Sequence, residues 1–307
     1  MTELTKSDQG PDAVTAQPAG GTAEPAPAHI TQWAEIRHRF AANRLAVVGL
    51  VLVVLLFAVA ALAPLIAPHD PYAQDLGNSL QDPSGDHWFG TDALGRDQFS
   101  RVLYGSRIAV VVGLASIFLA CLIGCVLGAL AGYFGKFVDS VIMRIADIFF
   151  AFPLLIGAIV IIIVTGRGVM PVIVSLAVFS WATVARLLRS SILSVREMDY
   201  VTAAKALGAS TTRILLRHIV PNSIAAVMSY VAFSVGTAVV AEASLSYLGV
   251  GVSPEVPEWG NMIFAAKDFM GIKDFLWVYP SVAIVLTTLG FVFVGDGLRD
   301  ALDPKLR

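Results

Sequence analysis

The sequence predicts an all-α membrane protein that crosses the bilayer six times. Composition is the first reason. The chain has 307 residues, of which 56% are hydrophobic and 14% charged, against roughly 25% charged in ordinary globular domains. Mean hydropathy is +0.75, which excludes a soluble single domain. The second reason is length of run: six apolar segments, at 45–67, 108–132, 139–164, 169–185, 219–249 and 277–295, suit a bilayer that needs about 20 residues per helix. The third is the absence of alternation inside those runs. A membrane strand would alternate lipid-facing and lumen-facing residues, and these do not, so helices are the spanning solution that satisfies the backbone in lipid.

Residues 1–28 are rich in Ala, Pro, Gly and Thr, with no apolar periodicity. They are expected to be a disordered tail, and they lack the basic and apolar regions of a cleaved signal peptide. In 29–44, Trp33, Ile36 and Phe40 fall at helical spacing among Arg37, His38 and Arg39. That pattern fits either a short helix lying in the interface or a simple leader into the first span.

Basic residues set the orientation, because loops rich in Lys and Arg stay in the cytoplasm. Arg37, Arg39 and Arg44 precede the first span, and Arg299, Lys305 and Arg307 follow the last. The segment 186–221 carries Arg186, Arg189, Arg196, Lys205, Arg213 and Arg217. The loop 68–105 is instead acidic, with Asp70, Asp75, Asp82, Asp86, Asp92 and Asp97 against Arg96 and Arg101. Both termini and 186–221 are therefore expected inside, and 68–105 outside.

The 68–105 loop ends in HWFGTDALGRDQFSRVLYGSR, His87 to Arg107. Gly90 and Gly95 permit tight turns, while Thr91, Asp92, Arg96 and Asp97 can satisfy the backbone of a compact loop. Packing plug and ion-pair mesh at a pore mouth are both compatible with that set. In the second span, Ala120, Gly124, Gly128 and Gly132 recur every four residues, a ridge that lets another helix approach closely. Cys121 and Cys125 beside it read as small packing residues, because two thiols with no His partner make a poor metal site; no metal site is expected. The third span opens with Asp139, Arg144 and Asp147. Arg144 and Asp147 lie three apart and are expected to pair near the cytoplasmic end, and Pro153 to kink the helix and free a carbonyl near Phe149.

The segment DYVTAAKALGASTTRILLRHIVPN, 199–222, is polar, basic and helix-forming between two spans. Asp199 is expected to cap a short helix, Ala203 and Ala204 to present a surface with almost no side chain, and Gly208 to end the helix. Ser210 or Thr211 would start a second helix. Its Arg213 and Arg217 lie on one face, with Ile214, Leu215 and Ile219 on the other, and Pro221 marks entry to the fifth span. That span ends AEASLSYLGVGVSPEVPEWG, 241–260. Glu242 is the lone ionisable group of its run and so a candidate pore or gate residue alongside Arg144 and Asp147. Beyond it, 258–270 reads as a short amphipathic helix with Trp259, Met262, Ile263 and Ala266 on one face, either meeting an incoming protein or sealing the bundle.

Four of these stretches carry one resemblance. The segment 199–222, with its Ala pair, Gly208 and Pro221, resembles the EAA loop of ABC importer permeases. His87–Arg107 resembles the FGTD-x-LGRD loop of dipeptide and oligopeptide permeases, and DSVIMRIADIFFAFPLLI, 139–156, their third span. The end of the fifth span, with the tail GDGLRDALDPKLR, 295–307, completes the match from about Trp33 to Arg307. The chain is thus identified as resembling the dipeptide/oligopeptide/nickel permease family, with a dipeptide-type second permease as the nearest pattern. It departs at Thr202, where the family has Glu, and at His218, which displaces the usual Ile.

The resemblance implies a type I importer permease fold over 45–307, in a bacterial inner membrane. It implies half of a pore shared with a second, homologous permease, with substrate delivered by an external binding protein. Two ATPase subunits, holding ATP and Mg, would dock through Asp199, Thr202, Ala203, Ala204, Lys205, Gly208, Arg213, Arg217 and Pro221. Thr91, Asp92, Arg96, Asp97 and Trp259 would lie at the outer face. The chain itself has no G-x-x-x-x-G-K-[ST] phosphate loop, zinc motif or nucleophile elbow, so no enzymatic activity, resident cofactor or nucleic-acid partner is expected. The competing readings are an ion-coupled secondary carrier, which needs paired broken helices or intramembrane ion ligands, and a membrane scaffold without a pore.

Overall fold

The computed structural model describes residues 32–302, so the expected tail 1–28 and the basic residues Lys305 and Arg307 lie outside the described residues. The described residues are nearly all helical, and their only β pairing is one isolated bridge between Thr91 and Asp97. In chain order the helices are α1 (Gln32–Ala42), α2 (Arg44–Ile66), α3 (Gln98–Phe134), α4 (Lys136–Ala151), α5 (Leu154–Thr165) and α6 (Val169–Arg196). They continue with α7 (Asp199–Ala206), α8 (Thr211–Ile214), α9 (Val220–Tyr247), α10 (Trp259–Ala266) and α11 (Phe275–Leu302).

Five of these helices are long and apolar enough to cross a membrane, and the bent pair α4 and α5 makes a sixth candidate span. The spans at 45–67, 219–249 and 277–295 appear close to where the apolar runs place them. The third does not form one kinked helix. It breaks at Phe152–Pro153, and its halves meet at 90°. Pro153 supplies no N–H and disfavours helix at the residue before it. The carbonyl of Phe149 is not left free, because the Phe152 N–H donates to it. The second half packs on α6: Gly157 faces the Phe179 ring so closely that a Cβ there would stand 2.0 Å from it.

α3 runs for 37 residues and starts ten before the apolar run. Asp97 caps it by accepting from the Ser100 N–H at 2.8 Å. The excess over about 20 residues carries its polar first turns beyond the lipid core. α6 likewise continues helical to Arg196, so the segment expected as a loop from 186 leaves the helix only after Arg196.

The α3–α6 pair is the spine of the bundle. A Cβ at Gly124 would sit 2.6 Å from Val184 Cβ, one at Gly128 2.6 Å from the Ala185 carbonyl oxygen, and one at Gly132 2.9 Å from Ile192 Cβ. The four-residue ridge is thus the seam, as its spacing predicts. Cys121 and Cys125 pack partly buried beside it. On the opposite side of α3, Phe118, Leu122 and Val126 are exposed, leaving an apolar face for lipid or another chain. α11 and α2 close around α9 and α3, where Gly49 lies against the Gly290 carbonyl.

Candidate functional site: the two ends of the bundle

One end of the bundle is built around 197–222. α7 is about two turns of mostly good helix formers, and its Val201 is fully buried beneath α6 and α8. Its N-cap is Met198, without a side-chain bond; Asp199 lies in the first turn instead, where its charge favours the helix dipole. The Gly208 N–H donates to the Lys205 carbonyl at 3.0 Å and the Ala209 N–H to the Ala204 carbonyl at 3.1 Å. With Gly208 at φ +76°, this is a Schellman stop, as the glycine predicts. Ser210 then caps α8 through the Arg213 N–H at 3.4 Å.

The exposed surface of this hairpin departs from the expected one at Ala204 and at Leu207. Thr202, Ala203, Lys205 and Ala206 face outward, but Ala204 is half-buried against the inner cluster. The tip is Leu207, 88% exposed. Arg213 and Arg217 are exposed and Ile214 and Ile219 buried, as expected. The second helix is not a plain α-helix, however. After one turn it widens to a π-turn over Leu215–Ile219 before α9 begins. Pro221 has no N–H for the Arg217 carbonyl and its ring would crowd it; the wide turn removes that conflict, and Asn222 Nδ2 donates to the His218 carbonyl at 2.6 Å.

Next to this hairpin, α4 is pinned to α6 by two ion pairs. Arg189 binds Asp139 through both nitrogens of one edge, with Nη2–Oδ2 at 2.5 Å, and Arg186 Nη2 reaches Asp147 at 2.6 Å. Arg186 also lies over the Phe150 ring at 4.2 Å. The expected Arg144–Asp147 pair does not form. Arg144 is exposed, and Asp147 turns to the neighbouring helix. Arg196 donates to the Gly132 and Tyr133 carbonyls, closing the end of α3.

The opposite end holds the 68–97 segment, folded as a compact plug. Asp92 accepts from the Leu94 and Arg96 N–H groups and pairs with Arg96 Nε at 2.7 Å. Thr91 Oγ1 accepts from the Gln81 N–H at 2.9 Å. Gly95, at φ +71°, touches the Asp75 carbonyl so closely that no side chain fits. Gln98 Nε2 donates to the Leu276 carbonyl and Phe89 stacks on Tyr279, fastening the plug to α11. Between plug and α10 lies a cavity of about 370 Å³ lined by Asp92, Arg96, Gln98, Arg101 and Asn261.

Trp259 is 3% exposed and its Nε1 donates to the Val102 carbonyl at 3.0 Å, so α10 seals the bundle and does not offer this ring outward. Glu242 is also enclosed, at 2% exposure. It accepts from Ser246 Oγ at 3.3 Å and lies beside Glu258, not beside a cation. Glu258 caps α10 through the Gly260 and Asn261 N–H groups, at 2.5 and 2.8 Å. Burial nevertheless raises its carboxyl above the usual carboxylate range. The carboxylate expected to line a gate thus belongs to an internal joint between α9 and α10.

Residues 124–307 match the family of binding-protein-dependent transport system inner membrane components. The chain belongs to this family. Residues 31–83 further match the N-terminal transmembrane domain of oligopeptide transport permease C. Among curated relatives, the chain is 41% identical over 278 residues to the glutathione transport system permease GsiD of Pectobacterium atrosepticum, covering 90% of this chain and 92% of that one. It is 36% identical over 302 residues to the dipeptide permease DppC of Alkalihalophilus pseudofirmus, covering 98% and 99%. It is 40% identical over 280 residues to the oligopeptide permease OppC of Bacillus subtilis, covering 91% of each.

Two solved transporters share the fold. The MetNI methionine ABC transporter superposes with a TM-score of 0.56 at 19% identity, over 66% of this chain and 96% of that one. An amino acid ABC transporter crystallised with histidines gives 0.52 at 15%, over 66% and 94%. The permease is therefore an inner-membrane transport component with an ABC importer fold, and the secondary-carrier reading has no support from its relatives. Three residues of the two ends escaped the sequence reading. Leu207 was only the last residue of a helix-forming stretch, Glu258 stood outside any span, and His69 lay in an unremarked turn. Only the Leu-Gly pair at a helix stop carried a signal for the first.

Proposed function

We propose that this permease forms half of the translocation pore of an ATP-driven peptide importer, beside a second, related permease. ATP and Mg belong to two ATPase subunits, which dock on α7. The observation that carries the docking assignment is the exposed tip itself: Ala203, Ala206 and Leu207 form a projecting apolar surface held rigid by the Schellman stop and by buried Val201. Single exposed leucines are common. One on a capped, two-point-anchored hairpin between basic residues suits insertion into a groove.

Peptides are the proposed cargo because the relatives are named for dipeptide, oligopeptide and glutathione transport. In this reading the hairpin and both termini face the cytoplasm, following the basic residues, and the plug faces an external binding protein. The two α4–α6 ion pairs keep the broken third span moving with α6, so that a push on α7 is carried to α5. Ala203→Arg tests the assignment. It places a long charged side chain on the tip without disturbing buried Val201. Loss of ATPase co-purification together with loss of uptake is expected; retention of both would remove α7 as the coupling element.

A further inference from the structure

His69, His87 and Asp97 come from three separate stretches: the turn after α2, the middle of the plug and the cap of α3. Their donor atoms all lie within 4.8 Å of one another. His87 Nδ1 is 2.9 Å from Asp97 Oδ1, and His69 Nδ1 is 3.7 Å from the same oxygen. The two imidazoles lie ring to ring, with centroids 4.6 Å apart. We propose that these three side chains form a binding site for a divalent cation of the zinc class, which ties the plug to α2 and α3.

The geometry carries this in three ways. Tetrahedral zinc with bonds of about 2.0–2.2 Å places neighbouring donors roughly 3.3 Å apart; the two separations to Asp97 Oδ1 straddle that value, and all three donors lie within 4.8 Å of one another. Asp97 is also oriented from behind: its Oδ2 accepts from the Ser100 N–H at 2.8 Å, which leaves Oδ1 aimed at both rings. Ser100 Oγ in turn accepts from the His69 backbone N–H at 3.2 Å, so one residue ties the Asp97 carboxylate to the backbone that carries His69. Finally, exposure is graded. The Asp97 side chain is 1% exposed, His87 14% and His69 41%, which anchors the site on the inside and leaves a fourth position open to water.

Two neutral imidazoles and a carboxylate are suited to zinc, cobalt or nickel, whereas calcium and magnesium take oxygen ligands. Only the His87 ring is within hydrogen-bond distance of Asp97 Oδ1, whereas a cation satisfies all three donors together. The site is independent of what the permease transports.

The test is titration of zinc, and separately of cobalt, into the chelator-treated full-length permease purified with its co-purifying subunits. Binding of one equivalent per chain is expected, with the visible absorption of tetrahedral cobalt and a zinc-dependent rise in melting temperature. His69→Ala is the informative variant, because its half-exposed ring contributes little to packing. It should weaken cation affinity by more than the roughly 10–100-fold that loss of an outer-shell partner costs. His87→Gln should do the same. Absence of saturable binding to the wild type would overturn the proposal. So would binding that both variants leave unchanged, which would make His87–Asp97 a structural hydrogen bond only.

Discussion

Replacing Leu207 by Ala separates docking from folding. The side chain is 88% exposed and sits past the end of α7, so its truncation should change the stability of the permease by less than about 0.5 kcal/mol. If the tip inserts into a groove on an ATPase, three carbons leave a buried site. At about 0.8 kcal/mol per buried methylene, the loss is roughly 2 kcal/mol, or about 30-fold in affinity. The assay is association of purified ATPase with the permease in nanodiscs, with melting of the permease followed in parallel. A drop of that size with unchanged melting is the expected result. Unchanged affinity would show that Leu207 stays outside the interface and would refute the inserted-tip geometry. A large fall in melting temperature would instead mean that the exposed leucine contributes to the fold.

Gly128→Val should break the α3–α6 seam, since the new Cβ would lie 2.6 Å from the Ala185 carbonyl oxygen and 2.9 Å from its Cα, neither of which can rotate away. A loss of at least about 1–3 kcal/mol is expected, read as a lower melting temperature in detergent. The two α4–α6 ion pairs should differ in a double-mutant cycle. Asp139–Arg189, 19% and 28% exposed and doubly bonded, should couple by about 1 kcal/mol, while Asp147–Arg186, 59% and 48% exposed, should fall near the bottom of the ~0–1 kcal/mol range of open pairs. Glu258 sets a pH dependence of opposite sign to that of a salt-bridged acid. Its folded carboxyl holds a proton more tightly than the unfolded chain does. Its contribution to stability is therefore greatest at low pH and declines as pH climbs from the ordinary carboxylate range to the raised value. Glu258→Gln should flatten this slope in melting temperature, leaving whatever Glu242 contributes.

Much of the architecture can be read in the chain because lipid imposes a simple rule: apolar runs of sufficient length become helices. The Gly124–Gly128–Gly132 ridge was equally legible, since small residues at four-residue intervals have one use in a membrane helix. The 90° turn at Pro153 was not, because proline reports a break but not its angle, and the second half packs at Gly157 on Phe179 of another helix. Arg144–Asp147 failed for a related reason. Spacing shows that two residues can meet, not that a distant Arg186 is better placed. Glu242 was visible as an isolated acid, yet its environment depends on Glu258, sixteen residues on and folded back by α10. In the coupling hairpin, Gly208 and Ser210 declared their caps, whereas the burial of Ala204 and the exposure of Leu207 follow from how α7 lies on Val201.

The most direct test of the account is uptake of labelled di- and oligopeptides into proteoliposomes holding the complete complex. The account predicts transport that requires ATP and the binding protein, and that persists when ion gradients are collapsed. Transport by this chain alone, driven by an ion gradient without ATP, would contradict it.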